Sequence, residues 1–504
     1  MTLSTKDPTA SRAQSAEPMI DVDVLIVGAG LSGIGAACRL HTDAPGTSYA
    51  ILESRAVTGG TWDLFRYPGV RSDSDMSTLG YPFRPWSAPE AIASGKDILA
   101  YVRATATEYG VDGHIRFQQR VDAASWSTQA ARWTVTVTDT ETDTQTTATC
   151  RLLYLCSGYY SYESGYTPDW AGLDQFGGQV IHPQDWPKDL DVTGKRVVVV
   201  GSGATAVTLV PAMVEAGAGH VTMLQRSPSY VLAIATRDPL DDLLRKRLSP
   251  QRAVRAIRWK NIKVSTAIYQ LSQRYPERVK GFLRKGAAKQ LPVGYDLDTH
   301  FSPKYNPWDQ RMCLVPEGDL FTAIGSQKAD VVTDHIESFT RDGIQLRSGS
   351  TLDADIVVAA TGLNLRPLGC IALTVDGEKV SIPDRVTYKG MMLDGVPNLA
   401  FAVGYTNASW TLKVDLVSTY VAGLARKLSE TNSAIVTPRL PQDEQAVAPL
   451  IEMTSGYFER SRDALPKQGS KAPWRLSDRY SKDAKLFRGK HALDQLEFTA
   501  TQSQ

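Results

Sequence analysis

The sequence predicts an α/β chain of two parallel-sheet domains, one inserted into the other, with a helical insertion inside the second. Three observations predict it. An apolar strand running into a glycine-rich turn and then a helix-like apolar period occurs twice, at DVDVLIVGAGLSGIGAACRL from Asp21 and at KRVVVVGSGATAVTLVPAMVEAG from Lys195. Each copy is followed by short strands, SWSTQAARWTVTVTDT and IESFTRDGIQLRS (with a turn expected at Asp342-Gly343), and is closed by an apolar strand ending in a small residue and glycine, RLLYLCSG at Gly158 and DIVVAATG at Gly362. The second copy is longer, and the excess falls on a basic, helix-like stretch around residues 235–295. That order predicts a first domain over 21–170 and 365–504, a second over 171–364, and the 235–295 insertion within the second.

Bulk properties narrow the function classes. The 504 residues are 42% apolar and 22% charged, the balance of a soluble globular protein. A net charge of +1 gives no global field for collecting nucleic acid. No apolar run approaches the ~20 residues that cross a bilayer. The polar opening MTLSTKDPTASRAQSAEP lacks an apolar signal core, so residues 1–20 are expected to be a disordered tail. Five scattered cysteines without CxxC spacing argue against a disulfide framework or a structural zinc site, and no metal is expected. Such cysteine usage suits a reducing cytoplasm.

In the first turn, Gly28 allows the tight bend, Gly30 admits a pyrophosphate to the backbone and Gly33 lets helix and strand pack closely. The helix N-terminus then presents unpaired N–H groups and a favourable dipole to phosphates. The second strand, YAILES, ends in Glu53, whose carboxylate suits both ribose hydroxyls of a dinucleotide. In the second turn the pattern is Gly201-x-Gly203-x-x-Ala206, and its second strand ends in Gln225, Arg226 and Ser227 instead of an acid. A guanidinium grips a 2′-phosphate that a carboxylate would repel. The first site therefore suits FAD, and the second NADPH over NADH, with Arg226 and Ser227 on the 2′-phosphate. Both are Rossmann-like, and two dinucleotides on one chain imply electron transfer between them.

What receives the electrons is less direct. Cys150 and Cys156, the only near pair, flank the apolar strand RLLYLC, where six residues place them on one face but ~20 Å apart. A disulfide reductase is thereby disfavoured. The loop GGTWDLFRYPGVRSD is a better candidate: Gly59 and Gly60 permit close approach to a flat ligand, Trp62, Phe65 and Tyr67 offer apolar area, and Pro68-Gly69 turns the chain toward Arg71 and Asp73. A second ordered connector, FGGQVIHPQDWP, frames His182 between Phe176 and Trp186, with Pro183 and Pro187 stiffening it; the histidine could be a switch, a ligand or a strut.

These two segments carry a resemblance. Gly59-Gly60-Thr61-Trp62 through Tyr67-Pro68-Gly69 to Asp73 is similar to the second fingerprint of the type I Baeyer–Villiger (class B flavoprotein) monooxygenases. Phe176-x-Gly178-x-x-x-His182-x-x-x-Trp186-Pro187 is similar to their primary fingerprint. HFSPKYNPWDQRMCLVP, YKGMMLDGVP and VGYTNASWTLK resemble the mycobacterial ethionamide-activating subgroup, and the similarity runs from about Asp21 to Arg488. The resemblance implies FAD and NADPH as cofactors, and molecular oxygen with a small apolar ketone or sulfide as substrates. It implies ester or lactone formation and sulfide or thioamide oxidation through a flavin C4a-peroxide. It implies that Arg311 stands over the flavin, braced by Asp73, and that His182 coordinates the two domains' movement. A fixed guanidinium would favour the anionic oxygen species and the negative adduct that follows. The chain departs from the pattern at Gln310, where many members carry a lysine that helps hold the NADP phosphate. Trp410 is a candidate for the tryptophan near the nicotinamide ribose, a core tryptophan being the alternative. A heteroatom-only flavin monooxygenase, an NADPH oxidase and a non-enzymatic redox sensor are the competing functions.

The insertion carries, between Arg245 and Lys289, fourteen Lys and Arg against one acid, Glu277. It reads as helices broken near Pro276, with Val254, Ile257, Ile262 and Ile268 as a buried stripe. It is either a solvated face or an attachment to an anionic membrane surface through residues 245–289. Nucleic-acid binding is not expected.

Overall fold

The computed structural model describes residues 20–431 and 433–500, so the expected N-terminal tail lies outside the described residues except for Ile20. Its larger sheet has nine strands: Glu378–Lys379, Ala372–Val375, Gln119–Ser127, Arg132–Asp139, Gln145–Leu155, Ile20–Val27, Tyr49–Leu52 and Ile115–Arg116 in that spatial order, with Leu399–Phe401 beside Gln145–Leu155. Ile20–Val27 lies parallel to both of its neighbours. Val24 and Ile26 enter the core on one face and Leu25 and Val27 the core on the other. Burial on both faces explains why this strand reads as an uninterrupted apolar run.

The smaller sheet has five strands in the order Ala329–Thr333, His220–Gln225, Arg196–Val200, Ile356–Ala359 and Gln179–Ile181, all parallel. The α/β class with two Rossmann-like sheets is borne out. Helix Leu31–Asp43 leaves the first glycine-rich turn and helix Ala204–Glu215 the second. The first is small along its buried side, and a Cβ on Gly35 would come within 2.7 Å of the Tyr81 ring. Helix Trp410–Glu430 packs against it.

The expected helical insertion is present as helices Pro239–Arg247, Pro250–Arg274 and Pro276–Ala288, with the break at Tyr275 just before Pro276. No helix among the described residues is long and apolar enough to cross a membrane. Three local expectations are corrected. Ile257 is buried and Val254 and Ile262 are half-buried, but Ile268, three turns beyond Ile257, is exposed, as is Val264 one turn before it: that side of the helix is not covered along its whole length. The hairpin loop is Arg341-Asp342, while Gly343 begins the next strand opposite Thr340; the strand crowds there, with Leu352 O 2.0 Å from where a Cβ on Gly343 would sit. Cys150 and Cys156 join opposite cores, not one face. The strand keeps its register with Ile20–Val27 while its other partner changes from Arg132–Asp139 to Leu399–Phe401, so what packs against it changes between the two cysteines. Both thiols are free and buried, and burial pushes both up.

Candidate active site

The two glycine-rich turns open onto one cleft of about 940 Å³ between the sheets. Each turn has the same backbone construction. Gly28 (φ 102°) and Gly201 (φ 143°) lie in a region that L side chains avoid, and a Cβ would meet the carbonyl oxygen of Cys156 or of Ala360 respectively. Helices Leu31–Asp43 and Ala204–Glu215 start at Gly30 and Gly203 without a side-chain cap and without an acid in the first turn. Their first N–H groups therefore remain available to an anion. Gly30 and Gly60 face each other so closely that a Cβ on Gly60 would lie 3.0 Å from Gly30 Cα. Bare backbone at this crossing is what a pyrophosphate needs.

The ends of the second strands differ. Gly28 N–H donates to Leu52 O and Gly201 N–H to Leu224 O, so the next residues, Glu53 and Gln225, are structural counterparts. Glu53 is buried; its Oε2 accepts from Ala29 N–H (2.7 Å) and its Oε1 from Arg55 N–H (2.9 Å). Burial pushes its carboxyl up, and those two donors pull it back. Oε2 keeps a lone pair for a ribose hydroxyl, while Oε1 also takes a long hydrogen bond from Ser54 Oγ at 3.5 Å. Gln225 turns inward instead, donating to His300 O and Thr333 Oγ1, both at 2.9 Å. Arg226 and Ser227 then emerge exposed at the cleft, and Arg226 makes no ion pair among the described residues.

The loop after Glu53 joins the two halves. Its buried Asp63 receives Arg55 (2.6 Å), Arg103 (2.9 Å) and Arg66 (3.2 Å), which fixes the turn that presents Gly59, Gly60 and Trp62. Gly69 packs on helix Ala204–Glu215, a Cβ there reaching 3.0 Å from Ala212 Cβ, and Arg71 pairs with Asp319. Two residues on, Asp73 meets Arg311, with Nη1 to Oδ2 at 3.1 Å in the cleft wall. Arg311 is held by a loop whose Asp309 O accepts from Thr454 N–H and Thr454 Oγ1. Burial alone would lower the guanidinium's affinity for its proton; Asp73, and then the surrounding phenols, outweigh it and raise it above the usual arginine value. Arg311 is therefore a permanent cation.

Around this pair stand aromatic side chains from distant segments. Tyr159 lies 4.6 Å from Tyr160 and 5.2 Å from Trp410, centroid to centroid. Phe65 sits edge-on to Tyr67 and Tyr160. Tyr457 lines the same wall. Burial raises the phenols of Tyr159, Tyr160 and Tyr457, so they stay neutral. Trp410 is not a core residue: it is half-buried in the cleft, and its Nε1–H donates to Ser32 Oγ at 2.9 Å. Sequence reasoning missed Tyr159, Tyr160 and Tyr457. The tandem tyrosines directly after Ser157-Gly158 were a usable signal; Tyr457 had none.

His182 lies where the chain passes between the sheets. Its Nδ1 accepts from Gln184 N–H, so Nε2 carries the proton and donates to Gly362 O, both at 3.1 Å. Tyr166 N–H donates to the same carbonyl. A Cβ on Gly165 would fall 1.8 Å from the imidazole Cε1. Burial lowers the imidazole's pKa, and the neutral tautomer is held. Phe176 packs edge-on to Phe339, Gly178 passes under Asp355 O, and Trp186 and the exposed Pro187 complete the connector. Ala206 is fully buried under the second turn.

A family model for flavin-binding monooxygenase-like proteins matches residues 70–289, and one for NAD(P)-binding Rossmann-like domains matches 26–87. The FAD-containing monooxygenase EthA of Mycobacterium tuberculosis is 53% identical over 467 residues, 93% of this chain and 95% of the relative. The chain belongs to the FAD-containing monooxygenases. The family resemblance expected from the fingerprints is thus borne out. Two solved structures share the monooxygenase's fold. An oxidized steroid monooxygenase bound to NADP has a TM-score of 0.73 at 22% identity, covering 95% of this chain and 100% of the other. An open form of cyclohexanone monooxygenase has a TM-score of 0.73 at 18% identity, covering 96% and 100%.

Proposed function

We propose that the protein binds FAD on the first glycine-rich turn and NADPH on the second, and inserts one atom of O2 into small apolar ketones to give esters or lactones. The same site oxidises sulfides and thioamides. The observation that carries this reading is the Arg311–Asp73 pair inside the one cleft onto which both turns open. In this reading residues 21–170 and 365–504 hold FAD and 171–364 hold NADPH, in the cytoplasm.

The residues fit the cofactors. Gly28, Gly30, Gly33 and Gly60 leave bare backbone for a pyrophosphate, Glu53 takes the ribose, and Trp62 lines the cleft beyond it. Gly201, Gly203 and Ala206 repeat the turn, and exposed Arg226 with Ser227 suits the 2′-phosphate that NADH lacks. FAD reduced by NADPH supplies the electrons and the oxygen activation that no side chain here provides. The chain's own part is electrostatic. Arg311 stabilises negative charge on the attacking oxygen and on the carbonyl oxygen of a ketone, and Asp73 fixes its orientation. Tyr159, Tyr160, Phe65 and Trp410 exclude water, which strengthens that interaction.

The test is purified holoenzyme with NADPH, O2 and a panel of linear ketones, cyclic ketones and aryl sulfides, with products identified by mass. Esters or lactones support the reading. Sulfoxides without esters would leave a heteroatom-only monooxygenase, and NADPH consumption without oxygenated product an oxidase.

A further inference from the structure

We infer that helices Pro250–Arg274 and Pro276–Ala288 form a docking face for an anionic lipid surface, on which the enzyme rests without crossing it. The inner side of the longer helix is already engaged. Arg258 donates to the carbonyls of Ser77, Thr78 and Gly80, Asn261 donates to Asp75, and Lys260 pairs with Asp238 and Asp241. These bonds fasten the helix to the body and consume the acids nearest to it.

Among the described residues its outer side has no such partners. Arg252, Arg255, Trp259, Lys263, Leu271 and Arg274 recur at helical spacing and are all exposed. Trp259 is 64% and Leu271 52% exposed, and Phe282 on the next helix is 67% exposed. At 1.5 Å per residue this face runs ~33 Å from Arg252 to Arg274. None of these four cations is in an ion pair among the described residues, and Lys263 instead lies 5.7 Å over the Trp259 ring. The one acid in the span, Glu277, is taken by Lys280. An exposed tryptophan set among unneutralised Arg and Lys, with exposed Leu271 and Phe282 farther along the two helices, on a helix fixed from behind, matches the interface between anionic headgroups and acyl chains. A protein partner or a second copy would have to supply acids that this chain's own face lacks. The inference goes beyond the proposed oxygenation and does not depend on it.

Full-length holoenzyme is sedimented with phosphatidylcholine vesicles and with phosphatidylcholine–phosphatidylglycerol vesicles, at low and high salt. Binding to the anionic vesicles alone, weakened by salt, is expected. The triple variants Trp259→Ser/Leu271→Ser/Phe282→Ser and Arg252→Glu/Arg255→Glu/Lys263→Glu should each weaken it about tenfold or more. Both should keep the wild-type rate of NADPH oxidation, which shows that they fold. Failure of the wild type to bind anionic vesicles at low salt overturns the inference. So does undiminished binding of either variant, or light scattering that shows a dimer which Phe282→Ser dissociates. Preference for single-stranded RNA over the anionic vesicles in direct competition would overturn it as well.

Discussion

The two glycine-rich turns are the same backbone device put to different ends. Both begin on a left-handed glycine pressed against the carbonyl of a neighbouring strand, and both open an uncapped helix toward the cleft. They diverge one turn later. At Gly33 a Cβ would lie 1.8 Å from Gly28 O, whereas the second turn accommodates Ala206 with its methyl fully buried. They diverge again at the strand end, where a buried, doubly bonded Glu53 faces its counterpart Gln225, which has turned inward to let Arg226 take the cleft. In the proposed reading, backbone geometry fixes that a dinucleotide binds, and one or two side chains fix which.

That difference can be broken at its most rigid point first. Gly33→Ala drives a methyl into fixed backbone, and is expected to cost about 3 kcal/mol or more and to yield protein without bound flavin, read by thermal melting and the visible spectrum. Ala206→Gly should cost only about 1 kcal/mol and keep flavin. Next comes cofactor choice. Arg226→Ala removes a charge-assisted contact and should lower kcat/KM for NADPH about ten- to a hundredfold while leaving NADH unchanged. Gln310 offers no second cation, so little preference should survive. An intact preference would refute the assignment.

The smallest effect concerns the connector between the halves. Neutral His182 accepts from Gln184 and donates to Gly362, and its pKa is lowered by burial. A base whose folded pKa lies below its unfolded value destabilises the fold only on the acid side. Stability should hold above the unfolded value of about 6.5, fall as pH drops through it, and level off below the folded value. His182→Asn should flatten that part of the profile in a pH series of melting curves.

Much of this was legible in the sequence because it is local. Strand, glycine turn, helix and strand-end residue lie within about thirty positions of one another, and the constraints on a βαβ unit act over that range. The Arg311–Asp73 pairing was legible only through resemblance, since the two residues come from different loops. The aromatic wall was legible only in pieces: Phe65 and Trp410 stood out singly and Tyr159 carried a signal, but Tyr457 had none, and the four come from separate segments that meet only in the folded cleft. Ile268 was misplaced because spacing shows which residues share a helix side, not how far along the helix the body covers that side. The Cys150–Cys156 expectation failed because a long strand can change partners midway, and the core packed against it changes there too.

The most direct measurement is the yield of ester per NADPH consumed by Arg311→Lys holoenzyme with a linear ketone, after flavin content and the rate of flavin reduction are shown to match wild type. Loss of a positioned guanidinium should lower ester formation about a hundredfold or more while NADPH oxidation continues. An unchanged ester yield would contradict the role given to Arg311 and its brace, Asp73.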